Sequence, residues 1–153
     1  METKNLGLDD ELFHHILDAY AHNYYAIHTG IKLKSLGPGT LTAELTVAKE
    51  ICNLLGKMHG GAAASLADTC LGTCCGTLDA LGITMDLNIH YMAPAGEHET
   101  IYASTKILRF GKKVLFPECT LENNEGVLIA KASGTFFNGG PVCTWREQST
   151  LNL

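Results

Sequence analysis

The chain has 153 residues, 46% of them hydrophobic and 18% charged, with a formal net charge of −5. This length and balance fit one globular domain with a core of its own and exclude a disordered chain. The negative charge argues against nucleic acid as a partner, and no apolar run approaches the roughly 20 residues that cross a bilayer.

The N-terminus runs Met1 to Asn5 and then Asp9, Asp10 and Glu11. It lacks the basic start and apolar stretch of a signal peptide, and the Arg-rich, acid-poor character of a transit peptide. Leu12, Phe13, Ile16, Leu17, Tyr20, Tyr24 and Ile27 recur at spacings of three and four. That predicts one amphipathic helix from Asp9 to about Ile27, with acids in its first turn and Gly30 as its stop. Two strands follow, Ile31–Leu36 and Leu41–Val47, joined as a hairpin by Gly37-Pro38-Gly39. Leu41, Ala43, Leu45 and Val47 alternate with polar residues, as in a half-buried strand.

After a loop from Ala48 to Met58, the stretch from Gly60 to about Ala80 is rich in Ala, Gly, Leu and Cys, with Asp68 its only charge before Asp79. It is apolar nearly all round, so it predicts a buried helix. Met85–Tyr91, Glu99–Arg109, Val114–Leu121 and Val127–Phe137 read as four strands of a meander, the last three antiparallel through short turns. Pro117 fits a strand only at an edge or a bulge. The order predicts an α+β domain with one long helix against one face of a sheet. The whole chain, 1–153, is one domain: a helix over about 9–28, a core over about 31–137 and an irregular tail over 138–153.

Of six cysteines, Cys70, Cys74 and Cys75 lie in the apolar helix and read as small core residues rather than zinc ligands. With Cys52, Cys119 and Cys143 they are expected to be reduced thiols in an intracellular protein. His14-His15 lacks the Glu and the spacing of a metal motif, and there is no Gly-x-Ser-x-Gly elbow. Asp86, Asn88 and His90 alternate on one strand face, as a polar outer surface or a subunit contact.

The chemistry concentrates in Asn53…His59-Gly60-Gly61…Asp68. Gly60 and Gly61 open a helix, whose first N–H groups lack internal partners and suit a carbonyl oxygen gaining charge. Asn53 adds a side-chain amide. Asp68 is a carboxylate in an apolar helix body, a position that needs a reason. The plain alternatives are a turn needing glycine, a His59 that only orients the loop, and an Asp68 on the helix's exposed edge. Arg109, Lys112 and Lys113 flank Gly111, either as phosphate ligands or as a solvated turn.

Asn53-Leu54-Leu55-Gly56-Lys57-Met58-His59-Gly60-Gly61 with Ala64-Ser65-Leu66-Ala67-Asp68 resembles the hotdog-fold acyl-CoA thioesterases, in the phenylacetate-degradation and thioesterase-superfamily-member group. Asp86 to Ala95, Arg109-Phe110-Gly111-Lys112 and Ala130 to Phe136 resemble the same family's later segments. The resemblance runs from about Ile31 to Phe137. It implies a hotdog, with a long central helix against a curved antiparallel sheet, here with an extra N-terminal helix. It implies Asp68 as general base or nucleophile, the Gly60 N–H as the group polarising the thioester carbonyl, and Asn53 positioning water or thioester. It implies a hydroxyl at Thr84, where the family usually has Ser. His59 goes with these catalytic positions, and Gly61, Arg109, Lys112 and Lys113 with coenzyme A. No metal or organic cofactor is implied, the CoA thioester being the substrate.

Gly60 and Asp68 are eight residues apart on one helix, so their backbones lie about 12 Å apart. Reacting groups must sit ~3 Å from the carbonyl carbon, so one thioester needs Asp68 of one chain and Gly60 of another. A homodimer at least is therefore expected, with two equivalent sites across a two-fold axis, and the family implies that dimers pair into homotetramers. The rival readings are a hotdog acyl-thioester hydratase or dehydratase, and a non-catalytic acyl-CoA-binding module. The expected location is cytoplasmic, with the mitochondrial matrix as the alternative.

Overall fold

A computed structural model describes residues 2–148. The predicted N-terminal helix forms as two pieces, α1 (Asp10–Ala21) and α2 (Tyr24–Thr29). Asp9 caps α1 by accepting from Glu11 N and Leu12 N, and α1 buries Phe13 and Ile16. The periodicity carries on to Ile27, but Asn23 breaks it: its side chain accepts from Ala26 N at 3.1 Å and starts a new helix. Gly30 then closes α2 at φ 80°, where glycine costs least.

One sheet of seven strands follows: β1 (Lys4–Asn5), β2 (Lys32–Gly37), β3 (Thr40–Thr46), β4 (Gly82–Tyr91), β5 (Thr100–Phe110), β6 (Val114–Asn123) and β7 (Leu128–Asn138). Their order across the sheet is β1-β2-β3-β5-β6-β7-β4. The four-strand meander is thus corrected to three strands, β5-β6-β7. β4 lies at the far edge against β7, and β3 takes the place beside β5. β1 pairs with β2 in parallel, and every other pairing is antiparallel. Pro117 sits in an interior strand, where the β6–β7 register skips it and the β5 partner bulges between Ile107 and Arg109. The missing N–H therefore falls at an irregularity in the ladder.

The long helix α3 (Gly60–Gly76) ends four residues earlier than expected, at a turn in which Asp79 takes φ 55°. It packs on β3, β5, β6, β7 and β4. Five strands at about 4.8 Å spacing span roughly 19 Å, more than the width of one helix of about 10 Å, so the sheet has to wrap α3. Leu66, Leu71, Cys70, Cys74 and Cys75 face the sheet and are buried, with Leu115, Cys119 and Phe136 opposite. The small side chains let the backbones come close. A Cβ on Gly82 would lie 2.9 Å from both Gly72 O and Cys75 Cβ. Gly82→Ala is therefore expected to destabilise the fold by about 2 kcal/mol, seen as a melting temperature lower by roughly 4–8 °C.

The tail is not irregular as expected. Val142–Thr144 form a 3-10 turn and Trp145–Gln148 a single helical turn, α4. Arg146 donates to both carboxylate oxygens of Asp18 on α1 at 2.9 and 3.0 Å. Residues 149–153 of the expected tail lie outside the described residues. No helix among the described residues is long and apolar enough to cross a membrane.

Candidate active site

The N-terminus of α3 is built by its own loop. Asn53 opens a tight turn. Its side-chain oxygen accepts from Leu55 N at 2.9 Å and Lys57 N at 3.2 Å. This oxygen is committed to the loop, so its NH₂ group is the atom left to donate. Met58 N donates to Ala95 O, and His59 N to Ile51 O. His59 caps the helix, its Nδ1 accepting from Gly61 N at 2.9 Å, so in the neutral ring the proton sits on Nε2. Ala62 N and Ala63 N both donate to His59 O. Among the described residues, the Gly60 N–H alone of this first turn has no partner. The Gly61 N–H is already used, which leaves the glycine pair with one free donor.

Gly60 is held from the side by a residue that sequence reasoning missed. The Tyr91 hydroxyl donates to Gly60 O at 2.9 Å. A Cβ on Gly60 would meet the Tyr91 ring at 3.3 Å. Tyr91 is the last residue of the alternating β4 pattern, but only the antiparallel run of β4 alongside α3 brings it to the helix start. Tyr25 was also missed. Its hydroxyl lies 2.7 Å from the Ser65 hydroxyl and ties α2 to α3.

Asp68 is two turns further along α3. It is half-buried rather than enclosed, on the face turned away from the core. The Thr84 hydroxyl donates to Asp68 Oδ1 at 2.9 Å. β4 bulges between Thr84 and Asp86, the kind of irregularity that re-aims a side chain. A cavity of about 360 Å³ opens beside this pair, between α3 and the N-terminal helices. Thr84→Ala removes the hydroxyl that orients the carboxylate, and is expected to lower kcat/KM about tenfold, with Thr84→Ser near normal. Steady-state rates at saturating and limiting substrate measure this.

Gly60 and Asp68 are not brought together within the chain. One unbroken helix contains both, so they stay about 12 Å apart. Arg109, Lys112 and Lys113 are exposed at the β5–β6 turn. Asn138 N donates to Lys113 O, and Asn138 pairs with Gly82. The basic turn thus lies at the Thr84 end of β4, opposite the Tyr91 end.

The thiols form no part of this site. Cys70, Cys74, Cys75 and Cys119 are buried. Burial pushes Cys74 and Cys75 up to about 12 and Cys119 to about 11, so none is a ready nucleophile.

The chain is 35% identical over 118 residues to human acyl-coenzyme A thioesterase 13, across 75% of this chain and 84% of that protein. Residues 55–130 match the thioesterase superfamily model. The chain belongs to the thioesterase superfamily. A medium/long-chain acyl-CoA thioesterase of Escherichia coli, YigI, is 32% identical over 99 residues, 54% of this chain and 63% of that one. The E. coli PaaI protein of the phenylacetic acid degradation operon superposes with TM-score 0.83 at 22% identity, over 88% of this chain and 99% of that one. A Streptococcus pneumoniae thioesterase protein solved with coenzyme A superposes with TM-score 0.70 at 22% identity, over 72% of this chain and 90% of that one. The fold is a hotdog, and this thioesterase is a hydrolase.

Proposed function

We propose that this thioesterase hydrolyses acyl-CoA to a free acid and coenzyme A, in two sites shared by a pair of chains. The observation that carries the reading is the single free donor, the Gly60 N–H, on the same rigid helix as the Asp68–Thr84 pair. The thioester carbonyl oxygen sits on the Gly60 N–H of one chain, at the positive end of a seventeen-residue helix. Asp68 of the other chain takes a proton from water as it attacks the carbonyl carbon. Negative charge gathers on the oxygen and is held by the N–H. Collapse expels the coenzyme A thiolate. Direct attack by the Asp68 carboxylate uses the same geometry: it expels the thiolate and forms a mixed anhydride, which water then opens to the free acid and Asp68. The Asn53 amide positions water or thioester, while His59 acts by fixing the helix start. Arg109, Lys112 and Lys113 take the phosphates of coenzyme A.

The sheet edges support pairing. One edge is blunted by the two-residue β1, whereas β4 offers ten residues with exposed Ile83, Met85 and Tyr91. An open, apolar edge of that length favours a second strand. The loop tip is equally bare, with Leu54 96% and Leu55 75% exposed. Exposed Phe110, Phe116 and Phe137 near the basic turn give dimers a face on which to form a tetramer. Reduced thiols fit a cytoplasmic or matrix location.

Thiol release from a panel of acyl-CoAs, aliphatic and aromatic, tests the activity. Release from at least one member is expected. Hydration of an enoyl-CoA without release would mean a hydratase, and tight binding without turnover a binding module.

A further inference from the structure

A helix that opens on two glycines starts loosely. A Gly-Gly pair has the freest backbone of any dipeptide, and helix ends fray, yet an oxyanion donor works best when it is already aimed. Two planar peptide units meet at Gly60. In the first, His59 O accepts from Ala62 N at 2.9 Å and from Ala63 N at 3.2 Å. In the second, Gly61 N donates to His59 Nδ1 at 2.9 Å, and Gly60 O accepts from the Tyr91 hydroxyl at 2.9 Å. Among the described residues, every polar group of both units is engaged except the Gly60 N–H.

These bonds differ in where they are anchored. His59, Ala62 and Ala63 belong to the helix start itself, so their bonds hold its shape but not its place. The loop before it is fastened as far as His59, through Ala95 O and Ile51 O. Tyr91 takes over one residue further on. It belongs to β4, where it pairs with Ala130 of β7. The chain after it is fixed too, since Met92 N and Ala93 N donate to Ile129 O at 2.9 and 3.3 Å. The Tyr91 ring lies against Gly60, where a Cβ would meet Cζ at 3.3 Å and the hydroxyl oxygen at 3.4 Å. The same strand carries Thr84, whose hydroxyl donates to Asp68. One strand therefore holds both reacting groups of α3 from outside the helix.

We propose that Tyr91 is a positioning residue: its hydroxyl holds the Gly60 peptide so that the Gly60 N–H already points where the thioester carbonyl oxygen will sit. This rests on the thioesterase reading above and adds a residue to its machinery. Tyr91 acts through Gly60. Its one hydroxyl proton is spent on Gly60 O, so it is not a second donor to the oxyanion. Without that bond the N–H samples several directions, and only part of the population meets the carbonyl. The bound ground state, held chiefly by the acyl group and coenzyme A, loses little. The transition state, with charge gathered on the oxygen, loses more.

The test is Tyr91→Phe, which keeps the ring and its contact with Gly60 and removes only the hydroxyl. On acyl-CoA, kcat should fall about tenfold, short of the 10²–10³ or so that loss of a whole donor costs. KM should change by about threefold at most. Two non-hydrolysable analogues isolate the carbonyl: an acyl-CoA with CH₂ in place of the thioester sulfur keeps it, and an alkyl-CoA thioether lacks it. The variant should bind the ketone about threefold more weakly and the thioether as the wild type does. In the ligand-free protein, ¹⁵N relaxation should show the Gly60 order parameter dropping from about 0.85 to below about 0.6, with Leu66 and Leu71 unchanged. An unmoved Gly60 order parameter overturns the proposal, whatever the rate. Equal effects on ketone and thioether also overturn it, because the carbonyl then gains nothing from Tyr91. No thiol release from any acyl-CoA by the wild type overturns the thioesterase reading instead, and the order parameter then still decides whether Tyr91 holds Gly60.

Discussion

Asp68→Ala is expected to lower acyl-CoA turnover by a factor of about 10²–10⁴, the range that loss of a general base covers. The fold should not suffer. Asp68 lies on the half-exposed face of α3, its side-chain hydrogen bond among the described residues comes from Thr84, and it takes no part in the buried cluster beneath. Alanine is also a strong helix former. Sedimentation and melting temperature should match the wild type, and KM should change little, because the cavity wall and basic turn remain. Asp68→Asn keeps the shape and the Thr84 contact but not the basicity, and should be nearly as slow. Single turnover in ¹⁸O-water separates the two chemical roles. A general base sends the label to the product acid alone, and label in the Asp68 carboxylate marks a nucleophile whose mixed anhydride is opened by water at the Asp68 carbonyl. Near-normal turnover by either variant would remove Asp68 from the mechanism.

Two inactive variants should restore each other when mixed. Gly60→Pro deletes the one free N–H of the first turn of α3. Proline suits the first helical position because its φ is already helical. The Tyr91 ring near the new Cβ is largely exposed and has room to shift. Loss of one such donor costs about 10²–10³ in kcat. In a mixed dimer with Asp68→Ala, one site receives both defects and the other receives none. Random pairing makes half the dimers mixed, so activity should return to about a quarter of wild type. Co-refolding from denaturant allows the exchange. No recovery, with mixed dimers demonstrated by mass, would mean that Asp68 and Gly60 act on a thioester within one chain.

The site was legible in sequence where it depended on local backbone. Gly60 opens α3 as its position after His59 suggested, and the eight-residue spacing survives because the helix is unbroken. What long-range packing supplies was not legible. Tyr91 reaches Gly60 across 31 residues and Tyr25 reaches Ser65 across 40. Neither contact is encoded by local spacing. The break at His22–Asn23 was hidden because Tyr24 and Ile27 continue the apolar spacing, yet both are exposed. β1 is too short for any period to register. β4 begins at Gly82, ahead of the alternation that announced it. The sheet order was out of reach for a related reason: the link between β4 and β5 crosses from one edge to the interior, and no local residue encodes that jump.

In the proposed mechanism, the separation of Gly60 and Asp68 along α3 would also govern how the catalyst is switched on. If the two groups act from separate chains, as proposed, a lone protomer newly released from the ribosome carries only half of each site. Hydrolytic power then rises with the square of protomer concentration while pairing is incomplete, and linearly once it is complete. Dilution below the dissociation constant should silence the protein without unfolding it. Substrate bound across the seam should in turn hold the protomers together, making the acyl-CoA pool a stabiliser of the assembly that consumes it.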